Sequence, residues 1–252
     1  MINLYSNIPI LAVPAGAWLF FYPGMIDISV KFSFAKFVAN LQTMEEKSLA
    51  ELLSEDTKNI LGLQLPTDPR WVNLASISLE AILSDHAYCE QKAALTCISL
   101  IQKNPEKTEL VQQLAPIVSE EWGHFRLVVN ELHKRNLVLG KQRKDAYVNR
   151  LLEFQCKGGN PEDRLLDQLL TMALIEARSC ERFKRLSEGL TDSYLRKFYR
   201  RFMESEAGHY TLFIRLATTY QPEKRVRSRW KEWLAFEAGV MEEMELRGDR
   251  IH

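Results

Sequence analysis

Residues 121–124 read EWGH and residues 206–209 read EAGH, so a Glu-x-x-His motif occurs twice in this chain of 252 residues. On an α-helix, residues three positions apart lie on one face, ~4.5 Å apart along the axis, so the glutamate and the histidine can reach one metal ion. Carboxylate and imidazole ligands together suit iron, manganese or zinc. One such motif is short enough to arise by chance, so the prediction depends on the sequence around it.

Each motif falls in the second of two consecutive predicted helices, and each first helix supplies a further glutamate. Glu90 precedes Glu121 by 31 residues, and Glu176 precedes Glu206 by 30 residues. Two antiparallel helix pairs would therefore place one set of candidate metal ligands at the same depth of a bundle: Glu90, Glu121, His124, Glu176, Glu206 and His209. Ferritin-like di-iron proteins have this ligand set. The spacing predicts an all-α fold, a ferritin-like four-helix bundle with additional flanking helices.

Apolar residues recur at helical spacing along most of the chain, and no stretch shows strand alternation. The pattern predicts helices over residues 44–60, 71–102, 106–135, 144–157, 162–188, 191–220 and 223–246. Gly158-Gly159-Asn160-Pro161 is the strongest predicted turn. The four long helices among these form the two pairs.

Glu90 and Glu176 lie within otherwise apolar stretches, and a buried carboxylate requires a metal ion or another cation. The alternative for either residue is a solvent-facing position on an amphipathic helix. His86 is one turn before Glu90 and is predicted to be a locally hydrogen-bonded histidine rather than a ligand.

Several other residues near the motifs are predicted to have no ligand role. Glu181 breaks the matched spacing, so Glu181 and Arg178 are expected beside the site or on the bundle surface. Glu120 lies four residues before His124. His133 and His252 are expected to be surface residues, and Cys89 and Cys180 to be small core residues.

The composition bears on the partners of the protein and on its redox compartment. Lys plus Arg and Asp plus Glu both number 33, so net charge argues neither for nor against a polyanionic partner. None of the four cysteines forms a Cys-x-x-Cys pair, which is typical of a reducing cytoplasm.

Residues 1–43 form an apolar extension that is predicted to be poorly ordered, or absent if translation starts at Met44. This extension contains neither a basic leader nor an uninterrupted membrane span. Residues 44–252 form the predicted di-iron domain.

Four segments carry a family resemblance: DHAYCEQKAA (85–94), EEWGHF (120–125), LIEARSCERF (174–183) and SEAGH (205–209). They resemble the ligand-bearing helices of the MiaE family, the tRNA-(2-methylthio-N6-isopentenyladenosine) hydroxylases, over about residues 70–220. LIEARSCERF is the most distinctive, because it is much longer than a metal motif requires. Position by position, the family's iron ligands fall on the same six residues.

The resemblance implies an O2-dependent monooxygenase that hydroxylates the isopentenyl group of a modified adenosine in tRNA. It implies two iron ions as cofactor and an external electron donor. In one respect the sequence departs from the family: Gly123 and Gly208 precede the two motif histidines, where the family usually has a longer or basic residue. This departure leaves the ligands intact and puts an identical substrate preference in doubt.

A tRNA substrate requires phosphate contacts, and the sequence has five basic clusters. They are Lys134-Arg135, residues 141–144, Arg196-Lys197, Arg200-Arg201 and residues 224–231, the last being the strongest candidate. Tyr147, Tyr199 and Trp230 lie among them and could stack on bases.

Three other functions remain open. They are a ferritin-like protein that oxidises or handles iron, a di-iron hydroxylase of another substrate, and a metal-free helical interaction protein.

Overall fold

A computed structural model describes residues 61–252. The apolar extension and the predicted helix over residues 44–60 lie outside this range. Within it the chain forms seven α-helices: α1 Trp71–Ile77, α2 Leu79–Lys103, α3 Thr108–Lys134, α4 Ala146–Phe154, α5 Pro161–Gly189, α6 Ser193–Tyr220 and α7 Glu223–Glu243. No strand occurs among these residues, and none of their helices is both long and apolar enough to cross a membrane.

The four long helices α2, α3, α5 and α6 form two pairs, as predicted. α2 packs mainly on α3, and α5 packs mainly on α6. The shorter helices flank this bundle, with α1, α4 and α7 all contacting α5. The structure therefore has the predicted class, an all-α bundle with additional helices.

Helix ends follow local sequence signals. Asn160 accepts a hydrogen bond from the Glu162 amide at the start of α5, and Pro161 occupies the first turn. Gly159 has a φ of +73°, a conformation that favours glycine, so the predicted turn at 158–161 is confirmed. Asp192 caps α6 in the same way through the amides of Tyr194 and Leu195.

The predicted helix over residues 71–102 is interrupted at Ser78, which has φ −108° and ψ 37°. This break separates α1 from α2, and α1 packs on α5. A Cβ atom on Gly189 would lie 2.9 Å from Cγ1 of Val72, so the absence of a side chain at Gly189 permits this contact. Apolar periodicity alone could not locate the break, because it continues on both sides of it.

The C-terminal residues are docked onto the bundle, and the prediction that His252 lies on the surface is wrong. The backbone amide of Ile251 donates to Asp85 at 2.8 Å, and Arg182 donates to the Ile251 carbonyl at 2.7 Å. His252 is consequently buried, with its Nε2 atom 2.8 Å from the Ser179 hydroxyl. His133 is exposed, as predicted.

Candidate metal centre

The structure brings the six predicted ligands together in the middle of the bundle. Glu90 projects from α2, Glu121 and His124 from α3, Glu176 from α5, and Glu206 and His209 from α6. Five of the six residues are buried, and His124 is largely buried.

These residues form two overlapping groups, in each of which one donor atom per residue lies within 4.8 Å of the others. One group is Glu90, Glu121, His124 and Glu206; the other is Glu121, Glu176, Glu206 and His209. Glu121 and Glu206 belong to both groups. Two adjacent cations could therefore share these two carboxylates, with a further carboxylate and one imidazole for each ion.

The donor atoms converge, yet several make no hydrogen bond. Nδ1 of His124 lies 3.2 Å from Glu90. Nδ1 of His209 lies 2.8 Å from a Glu121 oxygen, but this contact lacks hydrogen-bond geometry. Both carboxylate oxygens of Glu121, and one oxygen each of Glu176 and Glu206, are buried without a hydrogen-bond partner among the described residues. Because such atoms are costly to bury unpaired, these four carboxylates and two imidazoles fit a pair of metal ions.

In the metal-free centre, burial and the close approach of the carboxylates shift the pKa values of the candidate ligands. Burial raises the pKa of Glu176 well above its ordinary value, and the nearby charge of Glu206 raises it further. Burial alone would lower the pKa of His124, but the neighbouring carboxylates of Glu121 and Glu90 raise it to about 10. Without metal, protons bound to the imidazole and carboxyl groups therefore offset the negative charge of the carboxylates. In the metal-loaded protein, two divalent cations would neutralise the same charge.

Two residues beside the centre contact the candidate ligands directly. His86 is fully buried among Phe183, Tyr199 and Phe202, and its Nε2 atom lies 2.8 Å from Glu90. This contact lacks hydrogen-bond geometry, and both ring nitrogens of His86 are buried without a hydrogen-bond partner among the described residues. The predicted local hydrogen bond is therefore absent, although the ring lies against the Glu90 carboxylate.

Glu120 lines the cleft beside the two ligand histidines, and its carboxylate is about half exposed. Its oxygens lie 3.5 Å from Nε2 of His209 and 3.9 Å from Nε2 of His124, and it accepts a hydrogen bond from Ser205 at 2.8 Å. Glu120 can therefore orient both rings from outside the centre. Its position four residues before His124 was the only sequence signal for this contact.

Arg178 and Glu181 have a structural position away from the centre. Arg178 is fully buried and bonds to Glu237 at 2.6 Å and to Glu181 at 2.9 Å. Glu181 also accepts from the backbone amide of Thr67 at 3.0 Å. These residues join α5 to α7 and to the segment before α1, so they are not on the bundle surface.

A cleft between α3 and α6 opens at the candidate centre. Its volume is about 830 Å³, and His124, Glu120 and Ser205 form its inner end. By contrast, six apolar residues on α2 and α5 are buried in the core and do not line this cleft: Leu83, Ala87, Ala94, Leu170, Ala173 and Ala177.

The structure changes the interpretation of the basic and aromatic residues. Tyr147 and Tyr199 are fully buried, so the prediction that they stack on bases is wrong. In the 224–231 cluster, Arg225 pairs with Asp163, Arg227 with Glu223 at 2.5 Å, and Arg229 with Asp167 at 2.8 Å. Three of its five cations are thus already bound to carboxylates.

Crowding does not explain the glycines before the two histidines. A Cβ atom on Gly123 or Gly208 would meet no atom of a described neighbour within 4 Å. We expect Gly208→Ala to raise the free energy of unfolding of the metal-free protein by about 0.5–1 kcal/mol, because glycine is unfavourable inside a helix. Urea denaturation measures this change.

Gly248→Ala provides the opposite case. Its Cβ atom would lie 2.2 Å from the backbone carbonyl carbon of Leu74, so this variant should be destabilised. If Gly208→Ala lowered the stability as well, the open space around Gly208 would be contradicted.

Comparisons with known proteins identify the family of the chain. Residues 53–252 match the family model described as tRNA-(MS2IO6A)-hydroxylase, MiaE. A protein of Pseudomonas putida named tRNA 2-(methylsulfanyl)-N(6)-isopentenyladenosine(37) hydroxylase is 35% identical, with 64% of this chain and 77% of that protein covered. A protein of Salmonella typhimurium with the same name is 27% identical over the same shares.

The fold also resembles a solved structure. "Protein 43 with aldehyde deformylating oxygenase activity from Synechococcus" superposes with a TM-score of 0.71 at 32% sequence identity. The match covers 75% of this chain and 94% of that one.

Proposed function

The chain belongs to the MiaE family of tRNA hydroxylases, and from this membership and the geometry of its centre we propose that it hydroxylates the isopentenyl group of 2-methylthio-N6-isopentenyladenosine in tRNA. The observation that carries the proposal is the pair of buried carboxylate–histidine groups that share Glu121 and Glu206. Such a site suits a cofactor of two metal ions better than a single ion.

We propose that the cofactor is a pair of iron ions held by the six predicted residues. Four carboxylates carry four negative charges, which balance two ferrous ions when both imidazoles are neutral. When bound, the ions would supply the reduction of dioxygen and the oxidation of an unactivated C–H bond. The protein's own part is to hold the ligands, keep the histidine rings in orientation and exclude water.

Several residues support these tasks. His86 contacts Glu90, and Glu120 contacts both ligand rings. The ring of Phe202 packs against His86 and His124, at centroid distances of 4.5 and 4.9 Å. This packing places an aromatic ring against both histidines. No side chain has to act as a nucleophile.

The overall reaction consumes more than the substrate and dioxygen. One oxygen atom enters the C–H bond and the other leaves as water, which requires two electrons and two protons. An external electron donor must therefore act as a partner. The four cysteines are free, which fits a reducing compartment, and we place the reaction in the cytoplasm with its tRNA substrate.

The function is tested by nucleoside mass spectrometry in a host that makes the isopentenyl nucleoside but not its hydroxylated form. We expect expression of the chain to convert most of the tRNA nucleoside into a product 16 mass units heavier, the mass of one oxygen atom. Glu206→Ala should abolish the conversion because it removes a shared carboxylate. Glu188→Ala, on an exposed position of α5, should retain it.

Unchanged tRNA from cells whose protein contains two irons per chain would contradict the tRNA assignment. It would favour a di-iron oxygenase of another substrate; the similar Synechococcus protein is likewise an oxygenase, with aldehyde deformylating activity. Iron uptake without any oxygenated product would favour an iron-handling protein.

A further inference from the structure

The cleft between α3 and α6 is the feature that the proposed function leaves without an occupant. It runs from the middle of α3 and α6 toward the C-terminal end of α3 and the N-terminal end of α6. Its inner end is formed by His124, a candidate metal ligand, so a molecule in the cleft would reach the centre. Its volume of about 830 Å³ is within the size range of small-molecule sites.

The lining of the cleft changes along its length. Near His124 it is aromatic, with Phe202 and Phe198 packed against each other at a centroid distance of 4.9 Å. Farther out stands Tyr194, which is 49% exposed. An apolar group would therefore fit at the inner end, and a flat ring could stack near the opening.

The opening of the cleft carries positive charge. Lys134 and Arg201 both line it and are exposed. Lys134 lies 3.2 Å from the Tyr194 hydroxyl and 3.9 Å from the Glu131 carboxylate, and the side chain of Arg201 makes no hydrogen bond or ion pair among the described residues. Helix geometry puts both charges ~12–15 Å along their helices from the ligand histidines His124 and His209.

The change from aromatic residues at the inner end of the cleft to cations at its opening matches the chemistry of a modified nucleotide. A buried centre can act on a tRNA base only if that base leaves its stack, as is usual for recognition of single-stranded loops. The base then enters with its apolar substituent first, while the phosphates remain outside. Cations at the opening would bind those phosphates without reading sequence.

We propose that the α3–α6 cleft receives the modified nucleotide, with the isopentenyl group beside Phe198, Phe202 and His124, and with Lys134 and Arg201 on the flanking phosphates. This proposal rests on the proposed function. It assigns the tRNA contact to two of the predicted basic clusters, at 134–135 and 200–201, rather than to the 224–231 cluster on α7.

The test measures binding of an anticodon stem–loop RNA that carries 2-methylthio-N6-isopentenyladenosine to the full chain at several salt concentrations. We expect Lys134→Glu combined with Arg201→Glu to raise Kd at least tenfold. Loss of two phosphate contacts should reduce the slope of log K against log salt by about 1.4. Lys224→Glu combined with Lys231→Glu is the matched control, because it reverses two exposed charges on α7, and should leave both values unchanged.

Iron content and the circular dichroism spectrum should be the same in all these variants, since the four side chains are exposed. If the control pair weakened binding and the cleft pair did not, RNA would bind on α7, and the cleft proposal would be overturned while the function stood. Equal binding by all variants would overturn it too. Absence of any hydroxylated nucleoside in the wild-type expression test would instead overturn the proposed function.

Discussion

Glu176→Ala is expected to abolish the dinuclear metal centre. Glu176 is the only carboxylate of its group that is not shared with the other group, so its loss leaves one ion position with His209 and the two shared glutamates. Removing a residue that merely supports a ligand typically weakens metal binding 10–100-fold. Loss of the ligand itself should therefore weaken binding at that position by more than about 100-fold.

The measurement is iron content after anaerobic reconstitution, together with Mössbauer spectroscopy of the coupled pair. We expect about two irons per wild-type chain, and one or fewer in the variant. Glu188→Ala on the same helix is the control, because Glu188 is exposed and should bind iron as the wild type does. A coupled two-iron signal in Glu176→Ala would refute its role as a ligand.

Glu176→Leu separates the loss of metal from the loss of fold. One carboxylate oxygen of Glu176 is buried without a hydrogen-bond partner among the described residues, and burial raises the pKa of this group, so the carboxyl group is costly to bury in the metal-free protein. We expect this variant to lose the coupled signal while the metal-free form unfolds at no lower urea concentration than the wild type. Such a pattern is typical of a residue kept for function at the expense of stability.

The arrangement of the six candidate ligands could be predicted because it depends on local rules. The i, i+3 spacing places Glu121 with His124 on one helix face whatever the rest of the chain does. The nearly equal separations of Glu90 from Glu121 and of Glu176 from Glu206 then require only that consecutive helices be antiparallel. The roles of these six residues as metal ligands remain predictions, whereas their positions in the bundle follow from helix geometry.

Other features could not be predicted because their partners are distant in sequence. His252 is buried since Asp85, 166 residues before Ile251, accepts the Ile251 amide. No periodic pattern signals such a contact. The 224–231 cluster was predicted to be the strongest candidate for phosphate contacts. The sequence could not show that Arg225 and Arg229 are paired, because Asp163 and Asp167 lie more than 60 residues away.

Arg178→Met is the second change with a large expected effect, and it acts on stability. The guanidinium group is fully buried and donates to Glu237 through Nε at 2.9 Å and Nη2 at 2.6 Å, and to the backbone carbonyl of Leu65 at 2.8 Å. Its loss leaves the fully buried Glu237 carboxylate with Tyr147 alone among the described residues. Removing one partner of a buried ion pair typically costs about 3–5 kcal/mol.

Urea denaturation of the metal-free protein measures the loss of stability, and two further variants identify its cause. Arg227→Ala breaks a pair with Glu223 in which both side chains are more than half exposed, and it should cost less than about 1 kcal/mol. Arg178→Met combined with Glu237→Gln removes the stranded charge and should be more stable than Arg178→Met alone. If the double variant were less stable than the single one, the cost would come from lost packing between α5 and α7 rather than from an unpaired carboxylate.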